Sequence, residues 1–111
     1  MYKVTFYQLR SGKSPSLEFY RLTSENTRSK IMKQIINLEK FGLTRDNPSL
    51  RKLTGTKLWE VRILGNDNIR MMCVVVMRDE VLILHIFKKK SNKTPTKEIN
   101  IAINRFLELD I

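Results

Sequence analysis

The sequence predicts an α+β domain, an antiparallel sheet with helices packed on it, in the order β-α-α-β-β-β-α. Two observations carry that expectation. Residues 57–97, KLWEVRILGNDNIRMMCVVVMRDEVLILHIFKKKSNKTPTK, hold three apolar runs, 58–64, 69–77 and 81–87, separated by short polar breaks. Val, Ile, Leu, Phe and Trp dominate those runs, as strands packed on a pleated surface require. Upstream and downstream of them, apolar residues recur instead at helical spacing. At 111 residues the chain makes one domain, 1–111, with a single modest core.

Taken in order, residues 2–9 alternate Tyr2, Val4 and Phe6 with Lys3, Thr5 and Tyr7, the pattern of a half-buried strand. Residues 10–15 are a loop by composition. Ser14 is placed to cap a short helix over 15–22, with Pro15 at the first position, where a missing N–H costs nothing. A second helix runs from near Ser24 to Phe41 and stops at Gly42, a left-handed cap position. Ile31, Ile35 and Leu38 form its buried stripe, while Arg28, Lys30, Lys33 and Lys40 fall mainly on a solvated face. The two helices, joined tightly at Thr23, form a hairpin across one sheet face.

Residues 43–56 read as a connecting loop pinned by Leu50 and Leu53. The meander follows, with turns at Gly65-Asn66-Asp67-Asn68 and Arg78-Asp79-Glu80. Ser91-Asn92-Lys93 then leads to a last helix. Thr94 is its N-cap, Pro95 its first residue and Glu98 an acid in its first turn. Ile99, Ala102, Ile103 and Phe106 give it an apolar stripe for the sheet.

The charge is the unusual property. Twenty-one Lys and Arg against 11 Asp and Glu leave a net +10. A field of that sign favours nucleic acid, an acidic protein or an anionic membrane as partner. No run approaches the length of a bilayer span, the start lacks a signal core, and no basic amphipathic helix dominates, so the expectation is a cytoplasmic protein without a membrane partner. Cys73, the single cysteine, has apolar neighbours and reads as a core residue in a reducing compartment. No Cys/His spacing suggests a metal, and no glycine-rich phosphate loop appears, so neither metal nor cofactor is expected.

Arg62 and Arg70 lie inside strands, and Lys88, Lys89 and Lys90 follow the last one. Arg51, Lys52 and Lys57 add positive charge where the meander begins. An odd-length turn after Leu64 sets Arg62 directly across from Arg70; an even one sets Arg62 beside Met71, with Arg70 on the other face. Opposed like charges destabilise a strand pair, so the first geometry implies that an anion sits there part of the time. The bland alternative is two unrelated, solvated arginines. Glu60 shares Arg62's face by parity, as a proton acceptor or an arginine's partner. His85 has the pKa for acid–base work. It also shares parity with Val81, Ile83 and Phe87, which suits a satisfied core histidine.

The element order, with Leu58-Trp59-Glu60-Val61-Arg62, Ile69-Arg70, His85-Ile86-Phe87-Lys88-Lys89-Lys90, Thr94-Pro95 and Glu98-Ile99, resembles the RelE/HigB superfamily of toxin–antitoxin ribonucleases, specifically its HigB-like, phage-derived branch. The resemblance implies a RelE-like fold and a metal-independent messenger-RNA endoribonuclease that acts on the translating ribosome. It also implies a cognate antitoxin, a helix-turn-helix protein encoded beside the toxin, and a toxin–antitoxin hetero-oligomer. In such enzymes the 2′-hydroxyl attacks the adjacent phosphate, leaving a 2′,3′-cyclic phosphate and a 5′-hydroxyl end. Mapped onto this chain, the catalytic candidates are Glu60, Arg62, Arg70, Lys88 and Lys89. Arg51, Lys52, Lys57, Lys90 and Lys93 are the RNA-binding candidates. No tyrosine follows Tyr20, so the C-terminal tyrosine used by some members is lacking. A basic RNA- or ribosome-binding module without catalysis is the rival expectation.

Overall fold

The three apolar runs of the second half form consecutive antiparallel strands, and two further strands extend them into a sheet of five. A computed structural model describes residues 1–65, 67–90 and 93–109. In chain order the elements are β1 (Lys3–Phe6), α1 (Pro15–Leu22), α2 (Glu25–Phe41), β2 (Leu50–Lys52), β3 (Trp59–Ile63), β4 (Ile69–Val76), β5 (Glu80–Lys88) and α3 (Thr96–Leu107). The sheet order is β1-β5-β4-β3-β2. The sequence-based expectation differs in two respects. β1 pairs with β5 in parallel, which makes the sheet mixed. Residues 43–56 are not all loop, because Leu50–Lys52 add an edge strand antiparallel to β3.

Each sheet face carries its own core. On one side Val61, Ile63, Ile69, Met71, Cys73, Val81, Ile83 and Ile86 pack against Ile31, Ile35 and Leu38 of α2 and Phe19 and Tyr20 of α1. On the other, Met72, Val74, Leu82, Leu84 and Phe87 meet Ile99, Ala102, Ile103 and Phe106 of α3. β4 and β5 are therefore covered on both faces, which is why their sequences are continuous apolar runs rather than alternations.

A bulge in β5 changes which residues share a face. Met72 pairs with His85 but Cys73 pairs with Ile83, leaving Leu84 as an extra residue. Val81 and Ile83 therefore face α1 and α2, while His85 and Phe87 face α3. The parity argument that joined His85 to Val81 and Ile83 fails at this point.

The helix ends follow their local chemistry with two substitutions of role. Ser24 caps α2 by accepting from the Thr27 N–H at 3.2 Å. At its far end Gly42 has φ +69, and the Tyr2 ring lies 2.6 Å from where a Cβ would stand. Ser14 occupies the cap position of α1, yet its buried hydroxyl donates to the Tyr7 carbonyl at 2.9 Å. At α3 the cap is Pro95 rather than Thr94, and the helix starts one residue later than the sequence suggests. Thr94 spends its hydroxyl on the sheet instead, as described below. Asn66, Ser91 and Asn92, which the sequence assigns to connections, lie outside the described residues.

Candidate functional site

The turn after β3 has the odd-length geometry. Ile63 pairs with Ile69 and Arg62 pairs with Arg70, so the two arginines start from directly opposed positions on the α3 side of the sheet. Glu60 stands on the same face, opposite Met72 and beside Arg51 of β2. This end of the sheet therefore collects Arg51, Glu60, Arg62 and Arg70 on adjacent strands.

Glu60 is the centre of the cluster and is 1 % exposed. Arg51 reaches its carboxylate at 3.3 Å, and the Arg70 Nε lies 3.9 Å away. The Thr94 hydroxyl, arriving from the segment that leads into α3, donates to its other oxygen. A buried carboxylate without partners is costly, and that cost outweighs the benefit Thr94 would give as a cap on an exposed helix end.

Arg70 is almost as deeply placed, at 6 % exposed. It donates to the Asn68 side chain at 2.8 Å and to the Ile69 carbonyl at 3.0 Å. Its buried Nε has no hydrogen-bond partner. Burial pushes its pKa below the ordinary guanidinium value; Glu60 pushes it back up, and Arg62 and Arg51 add to the lowering. An arginine remains charged through such shifts. The structure thus holds a desolvated guanidinium beside Glu60, in surroundings where its interactions with an anion are stronger than in water.

Asn68, which no sequence argument singled out, organises this end of the site. Its backbone has φ +51, a conformation asparagine tolerates better than most residues. The side-chain oxygen accepts from Arg70, and the amide nitrogen donates to the Lys89 carbonyl at 3.1 Å. The Lys89 N–H returns a bond to the Asn68 carbonyl at 2.9 Å. Its signal in the sequence was an Asn closing a Gly-containing turn, next to an in-strand arginine.

The remaining candidates divide. Arg62 is exposed; its side chain donates to the Pro48 carbonyl at 2.7 Å and its backbone N–H to the Ser49 carbonyl at 2.8 Å, just before β2. Lys88 pairs with Ile69, so it lies on the α1–α2 side of the sheet, away from Glu60 and Arg70. There its ammonium sits 3.8 Å from Asp67, beside Phe19 and Leu22 of α1. Lys89 is half-buried and tied to Asn68. Lys52 donates to the Thr56 carbonyl, and Lys57, Lys90 and Lys93 are exposed.

His85 is beneath α3, two residues along β5 from Phe87, on whose ring it stacks at 5.3 Å. One ring nitrogen meets Glu98 at 3.3 Å and the other meets Arg105 at 3.3 Å. Both nitrogens are thus engaged by α3, as in a satisfied structural histidine. Cys73 is fully buried, and burial pushes its thiol up to about 12, which keeps it from acting as a nucleophile.

Residues 18–107 match a family described as "Phage derived protein Gp49-like (DUF891)". The chain belongs to that family. The matched stretch contains every residue of the Arg51–Glu60–Arg70–Thr94 cluster and omits β1 and the beginning of α1. The Gp49-like family is associated with the toxins of toxin–antitoxin pairs, so this is a phage-derived, toxin-like protein. No curated protein matches the chain. No helix among the described residues is long and apolar enough to cross a membrane.

Proposed function

We propose that this Gp49-like protein is the toxin of a type II toxin–antitoxin pair and cuts messenger RNA, acting on the translating ribosome. The supporting observation is Arg70, a buried guanidinium whose Nε makes no hydrogen bond and lies 3.9 Å from the Glu60 carboxylate, set with Arg51 and Arg62 on a rigid sheet. Attack of a ribose 2′-hydroxyl on the adjacent phosphate forms the 2′-O–P bond and breaks the P–O5′ bond. Negative charge gathers on the phosphoryl oxygens between those events. Fixed cations aimed at them stabilise that charge without reorganising, and removing one such group typically costs about a hundredfold or more in rate.

In this reading Arg70 and Arg62 grip phosphoryl oxygens with planar forks that lysine cannot imitate. Lys89 supplies a further cation and a proton for the departing 5′-oxygen; Lys88, on the other face, is not part of the cradle. Glu60 holds Arg51 and Arg70 in place and is the acceptor for the 2′-hydroxyl proton once substrate opens its surroundings. Metal-independence follows from this assignment of roles to arginine, lysine and carboxylate. Lys57, Lys90 and Lys93 extend the positive surface for the strand. The partner is an antitoxin encoded next to the toxin, a helix-turn-helix protein that forms a hetero-oligomer with it.

A second reading, a basic RNA- or ribosome-binding module without catalysis, draws on the burial of Glu60 and the engagement of both His85 nitrogens. Both readings give salt-sensitive RNA affinity. Mapping messenger-RNA 5′ ends during a brief pulse of expression separates them. New 5′-hydroxyl ends within coding sequences, absent with Arg70→Ala, support the toxin. Unchanged ends and unimpaired growth at a high level of folded protein overturn it.

A further inference from the structure

Around the β3 edge from the Arg70 cradle, three cations gather with no acid among them. Arg62 of β3 and Lys30 and Lys33 of α2 line a hollow of about 280 Å³, together with Gln34 and Ser49. Among the described residues, no carboxylate lies within 4.0 Å of any of these three cations. The Lys30 ammonium rests over Gly65, 2.5 Å from where a Cβ would stand, at a backbone φ of +143. Any larger residue at 65 would push that ammonium out of place. Gln34 also lines the hollow, and its Oε1 is buried without a hydrogen-bond partner.

Three like charges around one concavity repel one another, and an anion held between them relieves the repulsion. Lys30 and Lys33 stand at i and i+3, neighbours on the surface of α2, and both line the hollow. Arg62 is the link between this hollow and the cradle, since it lines the hollow and lies directly across from Arg70. We propose that the hollow is a second phosphate subsite, which holds a flanking phosphodiester of the RNA strand whose scissile phosphate sits at Arg70. This inference rests on the RNA reading above and assigns the path the strand takes: over the β3 edge and onto α2.

The test uses a labelled 2′-O-methyl oligonucleotide, which cannot be cut, and a 2′-O-methyl dinucleotide with a single phosphate. Affinities are measured by fluorescence anisotropy over a range of salt concentrations. Lys30→Ala/Lys33→Ala is expected to weaken the oligonucleotide about tenfold or more. Its salt slope is expected to flatten by about 0.7 for the one phosphate released. The dinucleotide, long enough only for the cradle, is expected to bind this variant as it binds the parent. Lys13→Ala/Lys40→Ala removes the same charge elsewhere on the surface and is expected to have a clearly smaller effect.

An equal loss in that control overturns the subsite, because the general field then suffices. Unchanged affinity in Lys30→Ala/Lys33→Ala alongside a loss in Arg70→Ala overturns the subsite and leaves the RNA reading standing. No loss in any variant overturns the RNA reading itself. Intact RNA affinity with lost capture of the neighbouring antitoxin gives the hollow to that protein's acidic side chains, and also overturns the subsite.

Discussion

Asn68 accepts a 2.8 Å hydrogen bond from the Arg70 guanidinium while donating to the Lys89 carbonyl. One side chain thus fixes an arginine of β4 and the end of β5 in a single arrangement. The residue holds φ +51 to do so. Replacing it separates the backbone contribution from the side-chain one. Asn68→Ala forces an alanine into the left-handed region, at a cost of about 1–2 kcal/mol beyond the lost hydrogen bonds. Asn68→Gly relieves that backbone cost but removes the side-chain bond to Arg70, leaving the guanidinium only Ile69 and Glu60. Both variants are expected to lower cleavage by about tenfold to a hundredfold, because a loosened guanidinium no longer meets the phosphate in register. Urea denaturation, with Ala lower in midpoint than Gly, and a cleavage assay on the same samples check the two effects.

The opposed arginines give a second expectation. Arg62 and Arg70 face each other in register, yet they have unequal surroundings: Arg62 is exposed and Arg70 is buried beside Glu60. Arg62→Ala and Arg70→Ala are each expected to abolish growth arrest at equal protein level. Arg70→Lys is expected to fail almost as badly, since an ammonium cannot hold two phosphoryl oxygens in one plane. Full toxicity of either alanine variant, measured beside a circular-dichroism melt that shows intact folding, would place the site elsewhere.

How much of this was legible beforehand depends on the range of each interaction. Arg62 opposite Arg70 follows from strand parity and an odd turn, both local properties, so the sequence could state it as one of two outcomes. The spans of α1 and α2 were also legible, through Pro15, Ser24 and Gly42. β2 was not, because three residues have no periodicity and become a strand only by pairing with β3. The parallel pairing of β1 with β5 is likewise a long-range fact. The Leu84 bulge shifts every face assignment after it, and it moved His85 away from Val81 and Ile83. Thr94 carried a strong capping signal, and only the buried Glu60 across the fold explains why its hydroxyl is used elsewhere. Lys88 looked equivalent to Lys89 in the sequence, whereas alternation along β5 sends it to the opposite face.

The contact between Thr94 and Glu60 is the tie between the entrance to α3 and β3. Thr94→Val keeps the shape and removes the donor, leaving a 1 %-exposed carboxylate with one hydrogen bond fewer. The expected loss is about 1–3 kcal/mol, read as a shift in urea midpoint without a change in slope. Thr94→Ser restores the hydroxyl and is expected to recover most of it. An unaffected midpoint in Thr94→Val would show that Arg51 and Arg70 alone satisfy Glu60.

His85 is the single histidine of the chain, so its titration can be followed without ambiguity. Burial lowers its pKa below 6.5; the hydrogen bond and charge of Glu98 raise it, and Arg105 lowers it further. Phe87, stacked against the ring, adds no charge. Because the folded value lies below the unfolded one, the unfolded chain binds the proton first on acidification. The neutral folded form is therefore at full strength above about 6.5, and stability falls as the pH drops from there to the folded pKa. Glu98→Gln removes the group that raises the pKa, so the folded value should drop further and the loss should extend to lower pH. His85→Gln should flatten this part of the profile, leaving only the carboxylate losses at lower pH. Imidazole proton shifts followed from pH 8 to about 4.5, with urea midpoints at the same points, test the sign directly: a folded-state pKa above 6.5 would show that the Glu98 carboxylate outweighs burial.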